Sequence, residues 1–415
     1  MRIIKKEQEV SKTISFIIPS RSNLKYLKWS YESLRKNIGY RHEICYADDA
    51  STDGTWEWLQ ELVKKDQNVK IHRNVGPERL GHTILYDTLV NDYATNDIIM
   101  IAHADMYILP NMDTEVLKHM KPGVVVSATR IEPPLHPSGP EKIIKDFGIE
   151  PEEFQEQELL NWFSKEYKPE QETTEGIFAP WAIYKEDFQK IGGHDKLFAP
   201  QSKEDSDIFN RFMLAGYKVV QTRKGCVYHM TCRGSRFADG AKRNPNGEVF
   251  MKNRETNEWL AQNERSTRNF IRKWGQMVEH DEYLKPIISP KYSIGFELME
   301  SCDINLLREL EPWCSYLVVP DSELIERYIE QEQTNTDYDL TKRLHTDIPN
   351  NPIYDIRVVF NPLEMTQSSF QIITQLPKII KDSGSEGDRF ELDVFDIWIA
   401  QMIEQQGNNI VCNTN

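Results

Sequence analysis

Short β-branched apolar runs, separated by helical stretches, constrain this chain more than any other feature. Ile14–Pro19 (ISFIIP) is apolar almost throughout, as a strand buried on both faces of a parallel sheet would be. Leu24, Leu27, Tyr31 and Leu34 then recur at helical spacing. Glu43–Ala47 predicts a second strand, WEWLQELVKK a helix and Val69–His72 a third strand. A helix around Thr83–Val90, the most apolar strand at Ile98–Ala102 and another at Val124–Thr129 follow. This alternation implies βαβ units and a mostly parallel sheet. Ligands of such sheets sit beyond the carboxyl ends of the strands, so polar residues just after each strand are the candidates for chemistry.

The pattern changes from Glu132 to Gly176, where Pro133, Pro134, Pro137 and Pro140 give way to an acidic stretch, EPEEFQEQELLNWF. We expect an insertion here (about 132–176), partly helical and lying over the sheet. Regularity returns at Ile177–Tyr184, followed by a helix from about Asp205 to Ala215 and closing strands at Val219–Thr222 and Cys226–His229. A trailing helix at about 255–275 offers Trp259, Phe270 and Trp274 as anchors. Beyond Pro286, strand candidates at Tyr292–Leu298, Tyr316–Val319, Ile356–Phe360 and Phe390–Val394 alternate with helical stretches such as ELIERYIEQEQ and SSFQIITQLPKIIK. A chain of 415 residues is too long for one compact core, so two domains are expected. The first, 1–285, carries the chemistry, and 286–415 is a smaller α/β domain to which no role is assigned.

Composition excludes some classes of function. The formal net charge of −15 disfavours a nucleic-acid partner. No apolar run is long enough to span a bilayer, although peripheral membrane contact stays open. The opening MRIIKKEQEVSK lacks the apolar core of a signal peptide. Cys45, Cys226, Cys232, Cys302, Cys314 and Cys412 show no CxxC spacing, which suits a reducing compartment. A cytoplasmic enzyme is the expectation.

Three constellations carry chemistry. In CYADDASTDGT, a strand ends in Asp48 and Asp49, placing acceptors for a base N–H or ribose hydroxyls at the ligand edge. Asp53 in the same turn serves equally well as a helix cap. In IIMIAHADMYILP, His103 and Asp105 alternate at a strand end and so project to one side. A carboxylate there suits a divalent cation that neutralises a diphosphate. In QSKEDSDIFNRF, Glu204, Asp205 and Asp207 open an amphipathic helix, where the dipole favours acids and where a general base is also well placed. His229, at a later strand end, is either structural or a second metal ligand.

These blocks, in this order, resemble GT-A, family-2-type glycosyltransferases. SFIIPSRSN is similar to the family's S-V-I-I-P-T-x-N, CYADDASTDGT to V-V-D-D-x-S-x-D-G-T, and IAHADMYILP stands where the family carries D-x-D. NVGPERLGH is a shortened N-x-G-x-x-x-A-x-N-x-G. GIFAPWAIYKEDFQKIGGHDKLF resembles the stretch ending G-G-F-D-E, KEDSDIFNRFMLAGYKV resembles E-D-x-D-L-x-x-R, and CVYHMTCRGS is similar to the later V-x-H segment. The resemblance covers about Ile14 to Gly234 and implies a Rossmann-like mixed sheet that binds a nucleotide-diphospho-sugar.

Residue by residue, it implies that Pro19, Ser20, Asp48 and Asp49 border the nucleotide. Asp105 would meet metal and diphosphate, with His229 completing the metal shell and His103 standing where a first acid is usual. Asp205 would be the base of an inverting transfer, with Glu204 beside it, and Arg233 or Arg236 would meet phosphate. The metal would be Mn²⁺ or Mg²⁺, with imidazole favouring the softer ion. The implied donor is a nucleotide sugar, UDP-sugar favoured. The acceptor is a glycan, a lipid-linked glycan or a protein, in the manner of polysaccharide biosynthesis. His136, Trp162 and Trp181 are either sugar-stacking rings or core. The rival reading is a non-catalytic nucleotide- or glycan-binding protein on a degenerate transferase fold.

Overall fold

The computed structural model describes residues 12–231, 240–252, 255–348 and 354–412. The chain divides into two compact units. One comprises Met1–Gly193, Gly216–Thr256 and Glu282–Lys285, the other His194–Ala215, Asn257–Asp281 and Pro286–Asn415.

The first unit opens with β1 (Ile14–Ser20), every residue of which is buried, as its continuous apolar run predicts. Helix α1 (Leu24–Asn37) buries Leu27 and Leu34 against the sheet. Then follow β2 (Glu43–Asp49), α2 (Thr55–Lys65), β3 (Val69–Asn74), α3 (Gly81–Thr88), β4 (Ile98–Ile101), β5 (Met106–Ile108) and α4 (Met112–Leu117). Next come β6 (Val124–Glu132), β7 (Lys142–Ile144), α5 (Glu156–Lys165), β8 (Thr173–Thr174), β9 (Trp181–Tyr184) and α6 (Lys185–Lys190). The 132–176 stretch is thus partly helical, and it also adds β7 beside β6 and β8 beside β10 (Lys218–His229). The two strands expected at Val219–Thr222 and Cys226–His229 are one strand, β10. A bulge between Thr222 and Cys226 lets it pair with β6 on both sides of the interruption. A small hairpin, β11 (Lys242–Arg243) and β12 (Val249–Phe250), closes the unit.

Strand order in the main sheet is β3-β2-β1-β4-β9-β6-β10-β5. Strands β3, β2, β1 and β4 are mutually parallel, and β9 runs antiparallel to both β4 and β6. Strand β10 is parallel to β6. The carboxyl ends of β1, β2, β3, β4, β6 and β10 therefore share one edge of the sheet. That edge is where an open α/β sheet binds ligands.

The second unit contributes α7 (Glu204–Leu214) and α8 (Asn257–Trp274), packed through Phe198, Phe270 and Trp274. Trp274 also donates its indole N–H to Asp207 at 2.9 Å, whereas Trp259 is half-exposed. The remainder is β13 (Ile294–Leu298), α9 (Ile304–Leu310), β14 (Tyr316–Val318), α10 (Ser322–Glu332), β15 (Leu344–His345), β16 (Ile356–Phe360), α11 (Gln367–Ser383), β17 (Arg389–Leu392) and β18 (Phe395–Ile399). They form a sheet of order β15-β14-β13-β16-β18-β17. The single strand expected at Phe390–Val394 is instead a hairpin. Leu392 pairs with Phe395, and Asp393 takes the left-handed conformation (φ +53°) that a two-residue turn requires.

Arg272, fully buried on α8, sits in an ion network within this unit. It donates to Glu311 Oε2 at 2.9 and 2.6 Å and to Glu332 Oε1 at 2.9 Å. Arg343 reaches Glu311 Oε1 at 2.6 Å. Burial opposes the charge on Glu311, but Arg343 and Arg272 outweigh it and hold the carboxyl down at about 2.

Candidate functional site

The carboxyl edge of the first unit's sheet gathers the polar residues of the sequence motifs. On β1 and β2, Ser20 lies in register with Asp48, and Asp48 with Arg73 on β3. Ser20 and Asp48 are buried, yet Ser20 Oγ and Asp48 Oδ2 have no hydrogen-bond partner within the protein. Arg73 Nε lies 3.5 Å from that Asp48 oxygen, and its guanidinium rests over the Trp56 ring at 5.1 Å. Buried polar atoms without partners are costly, so a row of them at a ligand edge marks a place where a ligand supplies the missing bonds. Pro19 is buried beside them in β1.

Asp49 differs from Asp48 in having its oxygens engaged. They accept from Asn74 Nδ2 at 2.7 Å and from the backbone N–H groups of Leu80 and Gly81 at 3.0 and 2.9 Å. Its carboxylate thereby latches the 74–81 loop and the start of α3. The loop approaches closely: at Gly76 (φ +79°) a Cβ would lie 2.9 Å from that of Ala50, so only glycine fits. Asp53 is the turn residue weighed from sequence, one position before Gly54, the N-cap of α2. It accepts from Thr55 N at 3.1 Å and from Leu24 N at 2.9 Å, tying the starts of α1 and α2 together.

Farther along the edge, His103, Asp105 and His229 bring one ligand atom each within 4.8 Å of one another. His229 Nε2 is 3.3 Å from Asp105 Oδ1. Two adjacent ligands about 2.1 Å from an octahedral ion are ~3 Å apart, so this spacing is close to what a metal needs. On its other side, His229 Nδ1 donates to Glu132 Oε1 at 2.8 Å, which turns Nε2 towards Asp105. Burial disfavours charge on His229, but Asp105 and then Glu132 outweigh it and push the imidazole up to about 9. His103 moves the other way, down to about 3, because of burial and the neighbouring charge of His229. His103 is therefore neutral and free to ligate. His82 lies against it, with ring centroids 6.4 Å apart.

Glu132 was not read from the sequence as a functional residue. It ends β6 next to β10, where Ile131 pairs with Tyr228, so the following residues on each strand are Glu132 and His229. An acid closing an apolar strand is its only sequence signal. Burial resists its charge, but Arg130, His229 and Lys142 hold it well below the usual carboxylate range.

In the second unit, Glu204 and Asp205 begin α7 after Ser202 and Lys203, both left-handed (φ +82° and +70°). Glu204 is buried with Oε2 unpartnered. Burial and then the adjacent Asp205 charge raise its carboxyl above the usual range. Asp205 is half-buried, while Asp207 is buried against Arg211 at 2.9 Å. Trp181 is fully buried, so it is core, and Trp162 packs against Phe147 and Tyr167. Arg233, Arg236 and Cys232 lie outside the described residues.

Residues 15–192 match the family model described as glycosyl transferase family 2. No curated protein matches the chain. Among solved structures, GalNAc-T7 with UDP, GalNAc and Mn²⁺ is similar at 16% identity and a TM-score of 0.40, covering 52% of this chain and 43% of its own. A mannosyltransferase, PcManGT from Pyrobaculum calidifontis, in complex with GDP-Man and Mn²⁺ gives 17%, 0.37, 52% and 56%. S. aureus TarS 1-349 gives 13%, 0.37, 52% and 60%. The chain thus spans only about half the length of these structures. The family match rests on its own ground, because it spans the strand ends that carry Ser20, Asp48, His103 and Asp105. Over residues 15–192, under half of its length, this chain is similar to glycosyl transferase family 2.

Proposed function

We propose that this protein is a metal-dependent glycosyltransferase that moves a sugar from a nucleotide-diphosphate donor, UDP-sugar favoured, to an acceptor hydroxyl with inversion. The observation that carries this reading is the His103–Asp105–His229 cluster at the carboxyl edge of a family 2 domain. Two imidazoles and one carboxylate suit Mn²⁺ better than Mg²⁺, since imidazole prefers the softer ion. When bound, the cation supplies Lewis-acid neutralisation of the departing diphosphate.

The protein's own groups do the rest. Asp48 Oδ2 and Ser20 Oγ, buried and unpartnered, accept from and donate to base and ribose. A carboxylate beside an arginine suits the –CO–NH– edge of uracil, with Asp48 accepting the N–H and Arg73 donating to the carbonyl. Asp49 holds the neighbouring loop in place. Asp205 takes the proton of the acceptor hydroxyl, and Glu204 beside it sets the local charge. Arg233 meets phosphate. The catalytic domain is 1–285 and 286–415 accompanies it. The acceptor is a glycan, a lipid-linked glycan or a protein, and the setting is cytoplasmic polysaccharide biosynthesis, in keeping with free thiols at all five described cysteines.

Thermal shift with UDP, GDP and dTDP, with and without Mn²⁺, followed by UDP-sugar hydrolysis, tests the reading. Mn²⁺-dependent stabilisation by one nucleotide and hydrolysis that disappears in Asp105→Ala are expected. Absence of both across all three nucleotides would leave a binding protein on a transferase fold.

A further inference from the structure

We infer that Glu132 is a positioning residue for the metal centre: it fixes His229 in the one tautomer that presents Nε2 to a cation. The inference rests on the metal reading above. A ligating histidine needs its second nitrogen held, because a freely turning ring offers the ion either nitrogen or a C–H edge. Glu132 Oε1 lies 2.8 Å from His229 Nδ1, and an ionised carboxylate only accepts, so Nδ1 keeps its proton and Nε2 is the nitrogen that gives its proton up to a cation. Both residues are buried and sit on neighbouring parallel strands, β6 and β10, whose backbone ladder pairs Ile131 with Tyr228 just before them. The two side chains therefore meet through a fixed register rather than through loops.

The surroundings of Glu132 separate positioning from simple neutralisation. Arg130 Nε is 3.3 Å from Oε1 and Lys142 Nζ is 3.2 Å from Oε2. Glu141 in turn takes Arg130 at 3.2 Å and Lys142 at 3.4 Å. Two cations already balance Glu132 and its neighbour Glu141. Glu132 therefore does not need a charged imidazole, and it can hold a neutral one by hydrogen bond alone. Strand β7, carrying Lys142, pairs with β6 and so extends this brace into the 132–176 stretch.

The test is Mn²⁺ binding to the full chain, followed by loss of the free-ion EPR signal, with thermal unfolding in the absence of metal as the fold control. Glu132→Leu removes the acceptor, and Mn²⁺ affinity should drop about 10- to 100-fold while the metal-free melting temperature still reports a folded protein. Glu132→Gln keeps an acceptor oxygen and should recover part of the loss, a rescue that a merely structural role would not give. Parent-like Mn²⁺ affinity in a folded Glu132→Leu overturns the inference. If that variant does not fold, Glu132→Ala, which also lacks the acceptor, takes its place: parent-like affinity in it overturns the inference, and weakened affinity supports it. A parent protein that binds no Mn²⁺ defeats the metal reading itself, an outcome distinct from both.

Discussion

Metal binding at the His103–Asp105–His229 cluster should be a proton exchange, and its pH dependence follows from the geometry. Asp105 at 3.3 Å and Glu132 at 2.8 Å keep the metal-free His229 imidazole protonated up to about pH 9. Of the other groups facing it, His103 is already neutral above about pH 3, and Glu132, braced by Arg130 and Lys142, stays ionised. A cation needs the neutral imidazole, so binding must release the His229 proton. Apparent Mn²⁺ affinity should therefore rise about tenfold per pH unit below 9, roughly 1.4 kcal/mol for each unit. From pH 6 to pH 8 the gain is about 100-fold, and at pH 7 affinity stands ~100-fold below its alkaline limit. Mn²⁺ titrations monitored by EPR at pH 6, 7 and 8, in buffers that do not chelate, measure the slope directly. Calorimetry in two buffers of different ionisation enthalpy counts the released proton independently. A flat affinity across that range would mean that His229 is not the ligand, or that its partners do not hold the proton, and the reasoning would be refuted.

Other outcomes follow from the same structure. Asp48→Asn should abolish the stabilisation of the protein by UDP in thermal shift while leaving its own melting temperature close to the parent's, because Oδ2 makes no hydrogen bond within the protein and only a long ion pair with Arg73 at 3.5 Å. Asp49→Ala strands the N–H groups of Leu80 and Gly81, so urea unfolding should show about 1–3 kcal/mol of lost stability and proteolysis should open the 74–81 loop first. Glu311→Ala leaves Arg272 buried without its main partner and should cost about 3–5 kcal/mol in chemical denaturation. Because Glu311 is held down at about 2, its contribution is fully present above its unfolded value. As pH falls from about 4.5 through 2, roughly 3 kcal/mol should be lost, and Glu311→Gln should flatten that part of the acid titration.

The legible parts of the sequence were those whose signals are local. An apolar run such as Ile14–Pro19 declares a buried strand by itself, and His103 and Asp105 reveal their shared side by alternation alone. The less legible parts depend on partners distant in sequence. Asp48 and Asp49 look equivalent in CYADDAS, yet the donors that engage Asp49 come from the loop at 74–81, whereas Asp48 Oδ2 finds none. Glu132 meets His229 through strand register, which residue order does not show, and the prolines that follow it made it look like the start of an insertion. The hairpin at Asp393 lacked the glycine or asparagine that usually announces one. In the second unit, β13, β14 and β16 were recognisable as strands, but nothing in residue order pairs Arg272 with Glu311, which folding buries together.

The bulge in β10 has an evolutionary consequence. Thr222 pairs with Ala128 and Cys226 with the next residue, Thr129, so Arg223, Lys224 and Gly225 are additions that leave the register on either side intact. Those additions grip the neighbouring segment. Arg223 N–H donates to Glu172 O at 2.9 Å, Arg223 O accepts from Tyr167 at 2.8 Å, and the Arg223 guanidinium reaches Pro140 O at 2.6 Å. Removing all three residues would leave Thr222 beside Ala128 and Cys226 beside Thr129, so His229 would keep its place in the ladder. The bulge and the 132–176 segment are thus joined through Arg223. Related chains should gain or lose them together, in steps that preserve the phase of the strand.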